Sequence, residues 1–371
     1  MKVAIVHDYL LDYGGAEEVL AVLHETFPEA PIYLSLLDKK GLGKFGQKFE
    51  GAKIITSWFN RLPFASKLIS PLRFLIPLIW SSFDFSEYDV VITSASWAVT
   101  KGIKKGEGMI EICYLHTPPR YLYGYETSRK WKGKWYGLLI DIYAKVVNKF
   151  MRAYDFRQAQ KVDYFIANSK NVGRRIEKFY KRTDYKVIYP PINIPRIKPT
   201  NDKDNYFITG GRMTAAKNFD LIIKACQKAN VKLKVFGGGV SKEYLKSIAR
   251  GETIFMGKIN DQEKTRLMLK AKAFILAQID EDFGMTALEA AACGCPAIAF
   301  RGGGYIESVV EGKTGLFFDE PTVESLSEAV RKFERMKFDP KDCIAQAKKF
   351  SKERFQTEIR RFVEERIHTD K

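Results

Sequence analysis

Histidine and cysteine are both scarce in this 371-residue chain, at four and five residues. His7, His24, His116 and His368 are too dispersed for a zinc site, and Cys293-x-Cys295 lacks the usual ligand spacing. Cys113, Cys226, Cys293, Cys295 and Cys343 are odd in number and scattered, which argues against a disulfide framework and for a reducing cytoplasm. No apolar run reaches the roughly 20 residues that span a bilayer. The opening MKVAIVHDYL turns acidic too soon for a signal peptide. Acidic residues are short by comparison with basic ones: 44 Asp+Glu against 61 Lys+Arg, a net charge of +17. The shortage is local, since residues 101–200 hold 22 basic and 8 acidic residues. Residues 58–83 contain no acid at all. Zinc-finger and RNP motifs are also missing, so the basic face points to anionic lipid or phosphate rather than to nucleic acid.

What is present is a soluble globular composition, 46% apolar and 28% charged, at a length that predicts two domains. Strand, glycine-containing loop and helix open the chain: Val3–Val6, the loop to Gly14-Gly15, and apolar residues at helical spacing to Phe27. This is the start of a doubly wound α/β domain. Gly14-Gly15 reads either as a tight turn or as a place where backbone meets a ligand. Further strands are predicted at 31–36, 53–57, 90–94, 111–116, 164–169 and 186–189, with helices from about Leu138 to Met151 and at 171–180. Residues 58–83, rich in Trp and Phe beside Arg61, Lys67 and Arg73, read as a basic amphipathic segment for a membrane surface, or as a cover over the sheet. His116 ends a strand before Thr117-Pro118-Pro119; it reads as a ligand-facing group or as a loop cap.

Residues 190–205 (PPINIPRIKPTNDKDN) form the predicted linker, after which α/β alternation restarts. Strands are predicted at 206–211, 232–236, 253–256, 274–278 and 297–300, with helices between them and at 305–310, 323–333, 342–350 and 351–367. Two constellations stand out. In the first, Glu281-Asp282-Phe283-Gly284 leads into an Ala-rich helix, 285–293, that carries Glu289 and is stopped by Gly294 and Pro296. A helix start between two carboxylates suits an anion with neighbouring hydroxyls. Eight helical positions would separate the carboxylates by about 12 Å, too far for a glycosidase pair. In the second, Gly210-Gly211-Arg212 with Lys217 brings two cations to one strand-to-helix loop, as a diphosphate requires, or they are two surface cations. Asp280-Glu281-Asp282 formally reads as D-x-D, but it runs into the anion-binding helix start, so no metal is expected.

Together these residues resemble glycosyltransferase family 4, the retaining nucleotide-sugar glycosyltransferases of GT-B fold. The likeness rests on Glu281-x7-Glu289 within EDFGMTALEAAACGCPAIAF, on GGRMTAAKN at 210–218, VFGGG at 235–239, FMGKI at 255–259, HDYL…GGAEEVL at 7–20 and YLHTPPRYLY at 114–123. The N-terminal pieces look most like mannosyltransferases of surface-polysaccharide and O-antigen assembly. The resemblance implies two Rossmann-like doubly wound domains facing a cleft. They would be an acceptor domain (1–189), a linker (190–205), a donor domain (206–350) and a last helix (351–371) returning to the first domain. It also implies roles. Arg212 and Lys217, beside Gly211, would hold the donor diphosphate; Glu281 would bind sugar hydroxyls and Glu289 the ribose. Phe283, Gly284, Met285 and Thr286 would meet sugar and phosphate at the helix start, and Gly257, Lys258 and Ile259 would border the base. Gly14 and Gly15 would approach the phosphate and His116 the sugar. His116, Arg212, Lys217 and Glu281 are the expected catalytic groups. Asp282 stands where many members carry Gly.

The implied activity is same-face transfer of a sugar, mannose from GDP-mannose, to a lipid-linked or oligosaccharide acceptor, with the leaving diphosphate taking the acceptor proton. No metal or further cofactor is implied. The expected setting is cytoplasmic, peripheral on the inner face of an anionic membrane, without nucleic acid. A UDP-sugar donor, a nucleotide-sugar epimerase of similar fold and a non-catalytic anion binder are the alternative readings.

Overall fold

A computed structural model describes residues 1–125 and 137–369. Two compact units divide them: residues 1–125, 137–191 and 353–369 form one, and Ile192–Lys352 lies in the other. Residues 126–136, whose end opens a stretch rich in Lys, Trp and Tyr at 131–151, and the last two residues lie outside the described residues.

The first unit is a seven-stranded parallel sheet: β1 (Val3–His7), β2 (Ile32–Leu34), β3 (Ile54–Thr56), β4 (Val90–Ala95), β5 (Ile110–Leu115), β6 (Tyr164–Ala167) and β7 (Tyr185–Val187), in the order 3-2-1-4-5-6-7. Period-2 alternation assigns the faces. Ile5, Ile92, Ile112 and Tyr114 pack under the helix Gly15–Thr26 and the last helix, Lys352–Thr369; Ala4, Val6 and Val91 face the other layer. Phe355, Ile359, Phe362 and Val363 sit at i, i+4, i+7 and i+8 of the last helix, one apolar stripe turned onto this sheet.

Residues 58–83 are not one continuous amphipathic element. They fold as short helical turns, Trp58–Arg61, Ala65–Leu68, Arg73–Leu75 and Ile76–Ser81, because Pro71 and Pro77 interrupt any longer helix. Phe59, Ile76, Ile79 and Trp80 are fully buried against the sheet, and Trp80 Nε1 donates to the Ala98 carbonyl at 2.6 Å. Phe64, Phe74 and Leu78 are left exposed. The segment therefore covers the core and also presents an apolar outer surface. Beside it runs the helix Gly137–Ala159, tied on by Arg73, whose Nε and Nη2 donate to Asn148 Oδ1 at 3.0 and 2.8 Å.

The second unit is a six-stranded parallel sheet: β8 (Phe207–Arg212), β9 (Leu233–Gly238), β10 (Thr253–Gly257), β11 (Phe274–Leu276), β12 (Ala297–Phe300) and β13 (Gly315–Phe318), in the order 10-9-8-11-12-13. The sequence reading has no counterpart for β13. Its four residues, GLFF, are too short to show a period, and only pairing with β12 (Ile298 opposite Leu316) makes them a strand. Strand order reverses between β1 and β4 in one sheet and between β8 and β11 in the other. Ligand sites of such sheets lie at the carboxyl ends beside those switch points.

Candidate active site

In the second unit the carboxyl ends of β8 and β9 are drawn together by glycine. A methyl on Gly237 would fall 2.0 Å from the Gly211 carbonyl oxygen, so only glycine permits the approach. Met213 N donates to Gly238 O at 2.8 Å, and Ser241 N donates to Met213 O at 3.1 Å, which fixes the loop that follows. Three basic residues border this bare backbone. Arg212 is exposed at the strand end. A Cβ on Gly211 would lie 3.5 Å from Lys217 Nζ, and one on Gly238 would lie 3.8 Å from Lys258 Cε. Lys217 is held over the strand by a short 3-10 turn and by Asn218, whose Nδ2 donates to the Ala277 carbonyl at 2.9 Å. Two lysines and an arginine bordering peptide groups at one strand end have the chemistry that a di-anion needs.

The acidic loop lies on a second glycine platform. Gly304 N donates to Glu281 O at 2.9 Å, and a Cβ on Gly304 would sit 2.2 Å from Phe283 Cα. The loop is thus laid flat on Gly302–Gly304, with Phe283 buried against Phe350. The Tyr305 hydroxyl donates to Glu281 Oε2 at 3.3 Å. Gly284 then starts the helix Met285–Ala292 without a side-chain cap, so its first-turn N–H groups remain for backbone or ligand acceptors. The helix ends as the sequence dictates: Gly294 is left-handed (φ 68°), and Cys295 N reaches back to Ala290 O at 3.0 Å. Glu289 sits half-buried on this helix. It has a polar partner that the Ala-rich sequence did not suggest: Lys264 Nζ lies 3.3 Å from Glu289 Oε2. The carboxylate holds the Lys264 ammonium above its ordinary range.

In the first unit His116 follows β5 and is buried. Its Nε2 lies 2.8 Å from Ser94 Oγ, and the same oxygen lies 2.9 Å from His7 Nδ1. Asp8, next along the chain, accepts from Ser96 N and Ala98 N at 3.0 Å each, and so ties the end of β1 to the loop after β4. Gly14 begins the helix Gly15–Thr26 in extended conformation, again without a side-chain cap.

These sequences and folds can be set beside known proteins. Residues 192–350 match the family model of group 1 glycosyl transferases. Over longer stretches the chain is similar to the alpha-1,3/1,6-mannosyltransferase ALG2 of Dictyostelium discoideum, 24% identical over 90% of this chain and 89% of that one. It is also similar to a GDP-mannose-dependent alpha-(1-6)-phosphatidylinositol monomannoside mannosyltransferase of Mycolicibacterium smegmatis, 31% identical over 32% of this chain and 36% of that one. An uncharacterized glycosyltransferase of Methanocaldococcus jannaschii matches at 27% identity, over 37% of each chain. The chain thus spans little more than a third of the length of the latter two. Among solved structures, Anabaena HepE with UDP and glucose superposes with a TM-score of 0.72 at 18% identity, covering 98% of this chain and 99% of that one. Sucrose-phosphate synthase of Thermosynechococcus elongatus superposes at 0.74 and 14% identity, with full coverage of both. The fold is therefore GT-B, two Rossmann-like domains.

Within the second unit the structure places Gly211, Arg212, Lys217 and Lys258 around the ends of β8 and β9. Gly257 is left-handed at the end of β10, where the register against β9 shifts, and Ile259 follows it. Glu281, Phe283, Gly284, Met285, Thr286 and Glu289 share one loop and helix. Gly14, Gly15 and His116 belong to the other unit. Sequence reasoning missed Lys264, which no motif marks, and Tyr305, whose only signal is its place after the Gly302–Gly304 run. It also missed His7 and Ser94 behind His116. Among the described residues no three His, Cys, Asp or Glu side chains converge on a possible metal position.

Proposed function

We propose that the protein is a retaining glycosyltransferase that moves mannose from GDP-mannose to a lipid-linked or oligosaccharide acceptor in cell-surface polysaccharide synthesis. The observation that carries this reading is the pairing of a cationic strand end (Arg212, Lys217, Lys258) with an uncapped helix start flanked by Glu281 and Glu289. Arg212 and Lys217 are assigned to the donor diphosphate, where charge builds as the sugar departs. Glu281, steadied by Tyr305, is assigned to sugar hydroxyls, and Glu289, steadied by Lys264, to the ribose hydroxyls. Gly14 and Gly15 are assigned to the phosphate and His116 to the sugar. Both glutamates are engaged by donors, which suits hydroxyl binding better than acid/base work. The rate is then supplied by positioning and by stabilisation of the leaving phosphate, which takes the acceptor proton.

Mannose is supported by the two relatives whose names specify its transfer. A second reading, a UDP-sugar donor, is favoured by the solved neighbour bound to UDP and glucose. A peripheral membrane position is supported by the outward stripe Leu138, Leu139, Ile142, Val146 and Phe150 on the helix Gly137–Ala159, with Lys145 and Lys149 beside it. No helix among the described residues is long and apolar enough to cross a membrane. The test is a donor-hydrolysis and transfer screen across GDP- and UDP-sugars, with product linkage read by NMR. A β-linked product from an α-linked donor would refute retention; interconversion of nucleotide sugars without an acceptor would point to an epimerase.

A further inference from the structure

We infer that the helix Gly137–Ala159 couples an anionic bilayer on its outer face to the loop after His116 on its inner face, so that docking on lipid steadies that loop. The docking surface rests on the peripheral-membrane reading, the effect on turnover on the glycosyltransferase reading, and the grip on the loop on neither. Three side chains of the helix hold three consecutive loop residues. Asn148 Nδ2 donates to the Tyr121 carbonyl at 3.1 Å, and Arg152 Nε donates to the Leu122 carbonyl at 2.7 Å. Asp155 Oδ2 accepts from the Tyr123 hydroxyl at 2.7 Å. The spacing i, i+4 and i+7 lines them along one helix face. Asn148 Oδ1 in turn accepts from Arg73, and Asp155 is paired with the buried Lys101. The loop's own backbone bonds are short-range turns: Leu122 N donates to Pro119 O at 2.9 Å, and Tyr123 N to Arg120 O at 3.3 Å.

The outer face is apolar. Leu138, Leu139, Ile142, Val146 and Phe150 are 49–70% exposed. At 3.6 residues per turn they centre about 140° around the helix from Asn148, Arg152 and Asp155. The guanidinium of Arg73 lies 5.2 Å from the Tyr143 ring, and the Tyr143 hydroxyl donates to the Pro71 carbonyl, so the turn bearing exposed Phe74 is fastened to this helix. Charge selects the occupant. The helix carries Lys145, Lys149, Arg152 and Arg157 against Asp141 and Asp155, and Asp155 is already paired. Residues 58–83 add Arg61, Lys67 and Arg73 and no acid. Two copies of such a face repel each other, whereas an anionic bilayer takes its apolar residues and its cations together.

A ligand shifts a conformation only by binding one form better than another. Here the preferred form is the unbroken helix. Seating the stripe in lipid over about three turns requires regular helix from Leu138 to Phe150, and the same regular helix sets Asn148, Arg152 and Asp155 in line. Lipid therefore favours the state in which all three hold the loop. That loop begins directly after His116, which is assigned to the sugar, so anionic lipid should raise turnover. Away from a membrane the enzyme would work more slowly, which confines transfer to the surface where a lipid-linked acceptor resides.

Hydrogen exchange of the full-length protein, read by mass spectrometry, reports the loop and the helix separately. With phosphatidylglycerol vesicles at low salt, exchange at 121–125 is expected to slow about fivefold, the net worth of one hydrogen bond, together with exchange at 138–150. Phosphatidylcholine vesicles should leave both unchanged. The kcat for donor hydrolysis should rise by about the same factor with phosphatidylglycerol. The double variant Asn148→Ala, Tyr123→Phe is expected to sediment with these vesicles as the parent does, but to lose the slowing at 121–125 and the rise in kcat. Lipid protection of 138–150 with no change at 121–125 in the parent overturns the coupling, whether or not the variant folds. Coupling that survives in the double variant overturns it too. No sedimentation with anionic vesicles overturns the inference together with the membrane position. Equal effects from neutral vesicles remove the anionic occupant, and protection of 138–150 that grows with protein concentration without lipid replaces it with a second copy. Absence of turnover with every nucleotide sugar would remove the glycosyltransferase reading and leave the exchange result standing.

Discussion

Replacing Gly304 with alanine tests whether the acidic loop works by being pressed flat on the glycine run. The added Cβ would lie 2.2 Å from Phe283 Cα and 2.6 Å from its backbone nitrogen and carbonyl carbon, all rigid atoms. Real Cβ contacts essentially never fall below 3.0 Å, so the loop must lift by about 0.8 Å. That strain should cost about 1–3 kcal/mol of stability, the usual range for overpacking. The lifted segment carries Glu281 and leads into the helix start. A misplacement near 1 Å costs roughly 100-fold in rate, or about 2.7 kcal/mol of transition-state binding. The control is Gly46→Ala, whose Cβ would meet nothing nearer than Leu42 Cβ at 4.0 Å. It should be neutral or stabilising by up to about 1 kcal/mol, with unchanged turnover. Urea unfolding gives the stabilities, and donor hydrolysis gives kcat/KM. A folded Gly304→Ala protein retaining kcat/KM within threefold of the parent would refute the platform argument.

Four further outcomes are expected. Glu289→Ala should abolish detectable transfer while leaving a folded protein, whereas Lys264→Met should lose at most about 1 kcal/mol of stability, because the pair is half-exposed, and weaken donor binding severalfold by isothermal titration. Lys101→Met should cost about 3–5 kcal/mol in denaturant unfolding, since it leaves the fully buried Asp155 carboxylate without its ammonium partner; the double change Lys101→Met with Asp155→Leu should recover most of that. Glu111 is fully buried beside Thr93, and burial pushes its carboxyl up to about 8 from an ordinary 4.5. Native protein thus keeps a proton that the unfolded chain releases. This group's stabilising contribution is whole below about pH 4.5 and is lost as pH rises toward 8, at about 1.4 kcal/mol per unit, so Glu111→Gln should flatten the urea midpoint across that window. Replacing Leu138 and Val146 together with glutamate should abolish sedimentation with anionic vesicles at low salt; undiminished sedimentation would remove the membrane reading of that helix face.

Much of the fold is legible where period and punctuation agree. The stretch 297–300 reads as a strand because it is apolar throughout and follows Pro296, and the structure puts β12 there without a shift. The helix after Glu281 is read nearly to its end because Ala-rich propensity and Gly294 both mark it. Reading fails where the deciding contact is distant in sequence. β13 exists through its pairing with β12 rather than through its own four residues. Residues 58–83 carry one composition but serve two surfaces. Proline breaks the segment into short turns whose rotations differ, so Trp80 enters the core while Phe64 faces out. The candidate site divides in the same way. Cations and carboxylates are visible because their residue types are unusual at strand ends. Lys264, 25 positions from Glu289, and Ser94, 22 from His116, are ordinary residues that only the fold brings to their partners.

The glycines explain why a few motif residues can define this site. At Gly237 and at Gly304, backbone from one segment occupies the space that a side chain would fill in the other, with 2.0 and 2.2 Å to the nearest atom. Such contacts leave these loops little room to shift over the backbone beneath them. In the proposed reaction, stabilisation of a departing diphosphate would depend on that restraint, because cations that must reorganise when charge develops give up much of their effect. Lys217 and Lys258 have long, flexible side chains and would be poor at this on a mobile loop. The Lys258 stem lies along Gly238, and the Lys217 ammonium itself comes to rest beside Gly211. Alanine at Gly238, where an added Cβ would meet only the Lys258 side chain at 3.8 Å, should therefore cost donor-hydrolysis turnover more than it costs stability in urea unfolding.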